Sequence, residues 1–374
     1  MTGSNIARWL SLFALMALIF FGLGEILTRA LNLVDRANGF PRSLFISADD
    51  PGLSYQMRPG VRGRVRGVEV RTNQLGFRGP EIHAERPSGT HRVVILGDSV
   101  TFGFRMPEEE IFPSLMARQL AQTTAGTSSG ARQASGRPEP EPEPNWEILN
   151  FGVEGYNTQA ELQVLRTTGL RVDPQTVVLV VNLNDYDATP GVGPRGVLML
   201  NRDETISRWS PMHVSEFYLL LQWLWRTGGS VWFGAPASDP PTDTEPREFK
   251  PLDIYVSALR KEYWRHPTDG RLNEMLTSMR QLARITDAHG IRLLVVILPD
   301  GDQIGPAEPD LDPQKRLAAF CQQEGLECLD LYPIFAASPV PNLFMDIMHP
   351  NAAGHQLISA AIVERLTGVP EGTP

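Results

Sequence analysis

The chain has 374 residues, 42% hydrophobic and 21% charged, with a formal net charge of −9, which fits a globular protein of one large domain or two ordinary ones. An acidic balance argues against nucleic acid as the main partner, because phosphate binding needs a basic surface. The only lysines are Lys250, Lys261 and Lys315, so no G-K-[ST] phosphate loop exists, and two cysteines with no H-E-x-x-H pair give no basis for a metal or other cofactor.

In chain order, residues 1–8 read as a short leader and 9–28 as a signal anchor. From Trp9 to Leu27 the sequence is WLSLFALMALIFFGLGEIL, 19 residues whose single charge is Glu25. At about 1.5 Å of rise per residue this nearly spans a hydrocarbon core of about 30 Å. The run exceeds the usual core of a cleaved signal peptide, roughly 7–15 residues, and no small-x-small cleavage pattern follows Gly24. An uncleaved anchor is the expectation and a cleaved signal peptide the alternative. A short leader before one helix and a large domain after it imply a single-pass protein of the cell (inner) membrane, its folded domain facing the periplasm or exterior. Cys321 and Cys328 would then meet an oxidising compartment, where they form either a disulfide or two buried thiols.

Residues 29–90 are rich in Gly, Pro and Arg. The stretch RVRGVEVR (64–71), followed by TNQLGFRGPE, suggests a small membrane-proximal collar of β structure. Arg78 in that run is expected in a surface or inter-segment ion pair rather than on an anionic substrate. From 91 to 368 apolar strands alternate with helical stretches: RVVILG (92–97), WEILNFG (146–152), TVVLVVN (176–182), IRLLVVIL (291–298) and ECLDL (327–331). Near-continuous Val, Ile and Leu runs of this kind mark a parallel sheet covered on both faces. The predicted fold is α/β, a three-layer α/β/α sandwich with a five-stranded parallel sheet. Two segments interrupt it. Residues 121–145, ending in a Pro-Glu repeat, are expected to be a disordered surface loop. Residues 186–255 form an insertion whose aromatic stretch SEFYLLLQWLWRTGGSVWF (215–233) reads first as core packing, with a lid or membrane-dipping helix as the sharper alternative.

Open parallel sheets bind ligands at the carboxyl ends of their strands. After the first strand come Gly97, Asp98, Ser99, Val100 and Thr101, so a serine stands at a helix entry, where N–H groups and the helix dipole favour an oxyanion. A serine hydroxyl needs a base. Near the C-terminus Asp346 precedes His349 by three residues, a spacing that lets a carboxylate meet imidazole Nδ1–H and leave Nε2 for the serine. Pro350 is expected in the first turn of the last helix, with Asp346 and His349 in the loop before it. His355 is read as structural, and His83, His91, His213, His266 and His289 receive no role. After the second strand, Gly155 can bring its N–H close to a ligand; after the third, Asn184 offers an amide. With the Ser99 N–H these make a three-donor oxyanion hole. Asp98, Asp185 and Asp187 read as loop or cap residues, and Glu108, Glu109 and Glu110 as an acidic first turn.

These four blocks in this order, Gly97-Asp98-Ser99, Gly155 within N-x-G-x-x-G-x-N-T, Asn184 within N-x-N-D, and Asp346-x-x-His349-Pro350, resemble the SGNH (GDSL-type) hydrolases over roughly residues 90–365. The resemblance implies a flavodoxin-like fold of the SGNH type. It makes Ser99 the nucleophile, His349 the base, Asp346 its orienter, and Ser99, Gly155 and Asn184 the oxyanion donors. Two departures are Val100 where the family has Leu and Asn182 where it commonly carries Gly; the latter is expected to narrow the site. The elbow G-x-S-x-G is absent, since Thr101 fills the last position.

The combined expectation is a membrane-anchored, exported serine esterase that removes or transfers an O-acyl group, O-acetyl first, on an acylated small molecule or an envelope or extracellular polysaccharide. Esterase and acetyltransferase stay open, because one site runs both reactions. The rival classes are a non-catalytic polysaccharide-binding or assembly module and a lysophospholipase or thioesterase.

Overall fold

The β-branched runs of the sequence form the centre of one parallel sheet, in a computed structural model that describes residues 3–31, 33, 44–65, 67–130, 145–187, 191–192, 198–199, 215–227 and 251–368. A long helix, α1 (Gly3–Ala30), precedes two antiparallel pairs, β1 (Phe45–Ser47) with β2 (Tyr55–Met57) and β3 (Arg62–Val65) with β4 (Val68–Arg71). The main sheet opens with β5 (Thr90–Leu96). The chain continues through α2 (Ser99–Phe102), α3 (Phe112–Gly130), β6 (Asn145–Asn150), α4 (Thr158–Thr167) and β7 (Thr176–Val181). The insertion contributes the small pair β8 (Gly191–Val192) and β9 (Leu198–Met199), then α5 (Glu216–Thr227). After it come α6 (Pro251–Arg265), α7 (Arg271–Ala288), β10 (Arg292–Ile297), α8 (Asp312–Glu324), β11 (Glu327–Asp330), α9 (Tyr332–Ala336) and α10 (Ala352–Thr367).

The sheet order is β11-β10-β7-β5-β6, all parallel, with Val94 opposite Val177 and Val181 opposite Ile297. Strand order reverses between β5 and β7, and the crevice above such a point is where open α/β sheets take their ligands. β7, TVVLVV, is buried along its whole length. Its side chains alternate between two cores: Val177, Leu179 and Val181 face α4, α6, α7 and α8, while Val178 and Val180 face α3, α9 and α10. That alternation makes the fold three-layered.

The collar is a rim of the first core. Phe45, Tyr55, Met57, Val65, Val70 and Phe77 are buried in it, and the Phe77 ring stacks on Phe151 at 4.0 Å. Tyr156 Oη donates to the Tyr55 carbonyl at 2.5 Å, and Tyr55 Oη donates to the Glu154 carbonyl. The strip from 44 to 80 is thereby fastened to the loop after β6.

The first part of the segment expected to be unstructured is helical, because α3 runs on to Gly130; Leu120 is buried and Ala121 and Gln122 favour helix. Residues 131–144, with the Pro-Glu repeat, lie outside the described residues, as does most of the insertion between 188 and 250. Within α1, Arg8–Ala30 is long and apolar enough to cross a membrane, a test that a signal sequence also passes. Cys321 at the end of α8 and Cys328 in β11 are joined in a disulfide, their Cα atoms 6.3 Å apart.

Candidate active site

Beyond Leu96 the chain turns through Gly97 and Asp98 into α2. Asp98 Oδ1 accepts the Val100 N–H at 2.9 Å, while Gly103 ends the helix at φ +87° with its N–H on the Ser99 and Val100 carbonyls. α2 is a single turn, too short for a macrodipole to build up. Its chemical asset is the set of first-turn N–H groups that have no intrahelical acceptor. The turn is pressed against the end of β6: a Cβ on Gly152 would stand 2.5 Å from the Phe102 nitrogen.

Ser99 and His349 are 250 positions apart in sequence, yet Ser99 Oγ lies 2.9 Å from His349 Nε2. The other ring nitrogen, Nδ1, lies 2.8 and 2.9 Å from the two carboxylate oxygens of Asp346. Asp346 Oδ1 also accepts the N–H of Met348 at 3.0 Å and of His349 at 2.9 Å, so the three-residue turn is closed by the carboxylate it presents. With Nδ1–H donating to Asp346, Nε2 is left as an acceptor for the Ser99 hydroxyl, and the Asp98 Oδ2 alternative is longer at 3.4 Å. Ser99 and His349 are 9% and 8% exposed.

The loop that carries this pair differs from expectation in one detail. Pro350 does not sit in the first turn of α10; it bridges to Phe344, and Asn351 is the cap, its Oδ1 accepting the Gly354 N–H at 3.0 Å. An Asn competes well for the cap position, which moves the helix start past the proline.

Electrostatics follow from this packing. Burial opposes the His349 cation, but the Asp346 hydrogen bond and charge, aided by Asp98 and Glu154, raise its pKa above the usual histidine value. Burial raises Asp346 too, yet the bond to His349, that cation and two backbone N–H groups hold its carboxyl far below the ordinary range. His355 behaves oppositely: burial, with Arg78 and His349 nearby, depresses it to about 3, and its Nδ1 accepts the Phe112 N–H at 3.2 Å.

Gly155 and Asn184 follow β6 and β7, the strands that flank β5, so all three expected donors stand at the carboxyl ends of adjacent strands. Gly155 adopts φ +79°, a left-handed conformation natural to glycine. Asn182 ties the ends of β5 and β7 together. Its Nδ2 donates to Asp98 Oδ1 at 2.5 Å, and its N–H donates to Asp185 Oδ2 at 2.8 Å. Asp185 and Glu161 are buried, and burial pushes both carboxyls well up, aided by the Asp98 charge on Glu161 and by Glu161 and Asp98 on Asp185. Asp187 takes the Arg271 guanidinium at 2.6 Å.

Arg78 corrects an expectation. It forms no surface ion pair: it is 1% exposed, and its Nη atoms donate to the carbonyls of Phe102 at 3.0 Å, Gly103 at 2.8 Å and Met106 at 2.7 Å. The loop so held carries Phe104, whose ring stacks on His349 at 4.0 Å with 26° between planes. The sequence flagged Arg78 but not its acceptors, which are backbone oxygens without residue identity. Phe104 was missed altogether. Among the described residues no group of three or more His, Cys, Asp or Glu converges in a way that could hold a metal ion.

The profile of the GDSL-like lipase/acylhydrolase family matches residues 95–357, more than half of the chain. The chain belongs to that family. Membership makes this acylhydrolase a protein of the ester-hydrolysing class. Among solved structures, a lipase/acylhydrolase from Enterococcus faecalis shares 16% identity, covering 76% of this chain and 100% of its own at a TM-score of 0.39. A member of the lipolytic G-D-S-L family from Veillonella parvula shares 13%, covering 75% and 100% at 0.38. A catalytic mutant of an acetylxylan esterase from Geobacillus stearothermophilus shares 12%, covering 74% and 94% at 0.40. No curated protein matches the acylhydrolase.

Proposed function

We propose that the acylhydrolase is a membrane-anchored, exported serine esterase working through an acyl-serine intermediate. The observation that carries this reading is the relay from Ser99 Oγ to His349 Nε2 at 2.9 Å and from His349 Nδ1 to Asp346 at 2.8 Å. Ser99 Oγ attacks the ester carbonyl while its proton passes to His349 Nε2; the imidazolium so formed is held by Asp346. The carbonyl oxygen becomes an oxyanion, received by the N–H groups of Ser99 and Gly155 and the amide of Asn184; one such donor is worth about 3 kcal/mol of barrier. Collapse expels the alcohol, which takes the proton back from His349, and leaves Ser99 acylated. Water, deprotonated by the same nitrogen, then releases the acid. A sugar hydroxyl in place of water would complete an acyl transfer at the same site.

The acyl group in this reading is O-acetyl, and its carrier an envelope or extracellular polysaccharide. The reading takes Arg8–Ala30 as a span with the folded domain exported to its outer side, where such a polysaccharide would be met. The test compares the full-length chain with Ser99→Ala on p-nitrophenyl acetate and on acetylated polysaccharide. Wild type should release p-nitrophenol and acetate, and the variant should be slower by at least about 10³-fold. Equal rates would refute the nucleophile and favour a binding module.

A further inference from the structure

Glu25, the lone charge of the apolar run, is fully engaged. Its carboxylate accepts the Ser215 hydroxyl at 2.9 Å, the Glu216 N–H at 3.1 Å and the Phe217 N–H at 3.0 Å, so it caps α5; Arg29 Nε donates to it at 2.5 Å. Beside the cap the Phe217 ring meets Phe20 and Phe21 edge-on, at 5.4 and 5.9 Å. A Cβ on Gly24 would lie 2.7 Å from that ring, so only glycine lets it approach. The first turn of α5 is therefore fixed to α1 at the level of residues 20–25.

That level decides the surroundings of α5. With about 1.5 Å of rise per residue, Phe20 is about 15 Å and Glu25 about 8 Å short of the helix end at Ala30, within or at the edge of a hydrocarbon layer of about 30 Å. A bilayer that takes up Arg8–Ala30 takes up the start of α5 as well. The α5 sequence EFYLLLQWLWRT is apolar, with the Tyr and Trp types that gather at membrane interfaces. Among the described residues, the exposed large hydrophobics beyond α1 and Leu31 are Leu75, Leu221 on α5, and Ile254, Tyr255, Val256 and Leu259 on α6. All but Leu75 lie within one insertion or directly after its end, where a soluble surface would scatter them singly.

We propose that α5 is a second membrane-contacting element, a helix lying in the lipid boundary on the side of the folded domain, with bilayer lipid as its partner and Glu25 as its tether. The proposal rests on α1 spanning the membrane. The insertion bearing α5 follows Asn184 in the chain, and Glu25 holds its α5 segment against α1.

The disulfide leaves no free thiol, so single cysteines can be introduced into the full chain and spin-labelled in phosphatidylcholine nanodiscs. Leu18→Cys reports the span, Leu221→Cys reports α5, and Asp287→Cys, at an exposed position near the end of α7, reports water. Collision with oxygen, which partitions into lipid, should exceed collision with a water-soluble nickel chelate at 18 and at 221, and the order should invert at 287. Glu25→Ala should raise the mobility of the label at 221 and leave that at 18 unchanged, whereas Glu25→Gln, which keeps an acceptor oxygen, should shift it less. A nickel-accessible label at 18 would refute the spanning reading itself. A lipid-embedded 18 with 221 open to nickel, or shielded from both relaxants by protein, would overturn the proposal alone. Unchanged mobility in Glu25→Ala would overturn the tether.

Discussion

His349 must be neutral to act as a base, yet its surroundings favour the cation. Because Asp346, Asp98 and Glu154 outweigh burial and raise its pKa, kcat/KM on p-nitrophenyl acetate should climb with pH through a midpoint above the ordinary histidine value of about 6.5. Asp346→Asn should lower that midpoint as well as the rate; a profile flat from pH 5 to 8 would contradict the assignment. Stability carries the opposite sign. A pKa raised by folding means that the His349 contribution is complete below about pH 6.5 and fades as pH rises through the folded value. His355, depressed to about 3, contributes above about 6.5 and loses that contribution as pH falls toward its folded value. The two windows meet near pH 6.5, so together the histidines favour maximal stability around that pH, and the activity profile isolates His349. Arg78 offers a second prediction at this scale. Its three carbonyl bonds are charge-assisted and buried, each worth about 1.5–3 kcal/mol, so Arg78→Met should lower unfolding stability by several kcal/mol. Arg78→Lys, with one ammonium and no fork, should recover only part of it, and kcat should fall more than KM rises because Phe104 loses its seat on His349. Unchanged stability in Arg78→Met would remove the argument.

The elements differ in how openly the sequence declared them. Strands β5, β7 and β10 are buried on both faces, so their Val, Ile and Leu runs could mean little else, and their bounds fell within two residues of the expected ones. The Asp346 to His349 spacing was legible because one short turn closes it. What stayed hidden depends on packing between distant segments: Asn182 donating to Asp98, and Phe104 lying on the imidazole. The start of α10 was misplaced because Pro350 and Asn351 both suit a helix entry and only the Asn351 side chain closes the cap. The bond between Cys321 and Cys328 ties α8 to the edge strand β11, with a sequence separation of 7. A loop so small should add about 2–3 kcal/mol. Cys321→Ala/Cys328→Ala should therefore lower the urea midpoint while leaving kcat unchanged, since β11 is the sheet edge farthest from Ser99. A matching loss of kcat would mean that the edge supports the site.

At the scale of the whole molecule, residues from opposite ends of the folded region meet at one crevice because the strand order reverses between β5 and β7. β5 delivers Ser99, β6 and β7 deliver Gly155 and Asn184, and the loop before α10 delivers Asp346 and His349 from above. The collar is joined to the same edge of the domain, with Tyr55, Phe77 and Arg78 as its fastenings. The central claim is that Ser99 is activated by His349 in this crevice. Labelling the full-length chain with a fluorophosphonate and mapping the adduct by peptide mass tests it most directly. The account predicts one adduct, on Ser99, whose rate of formation falls by at least about 10³-fold in His349→Ala. Modification of another residue, or an equal rate without the imidazole, would contradict it.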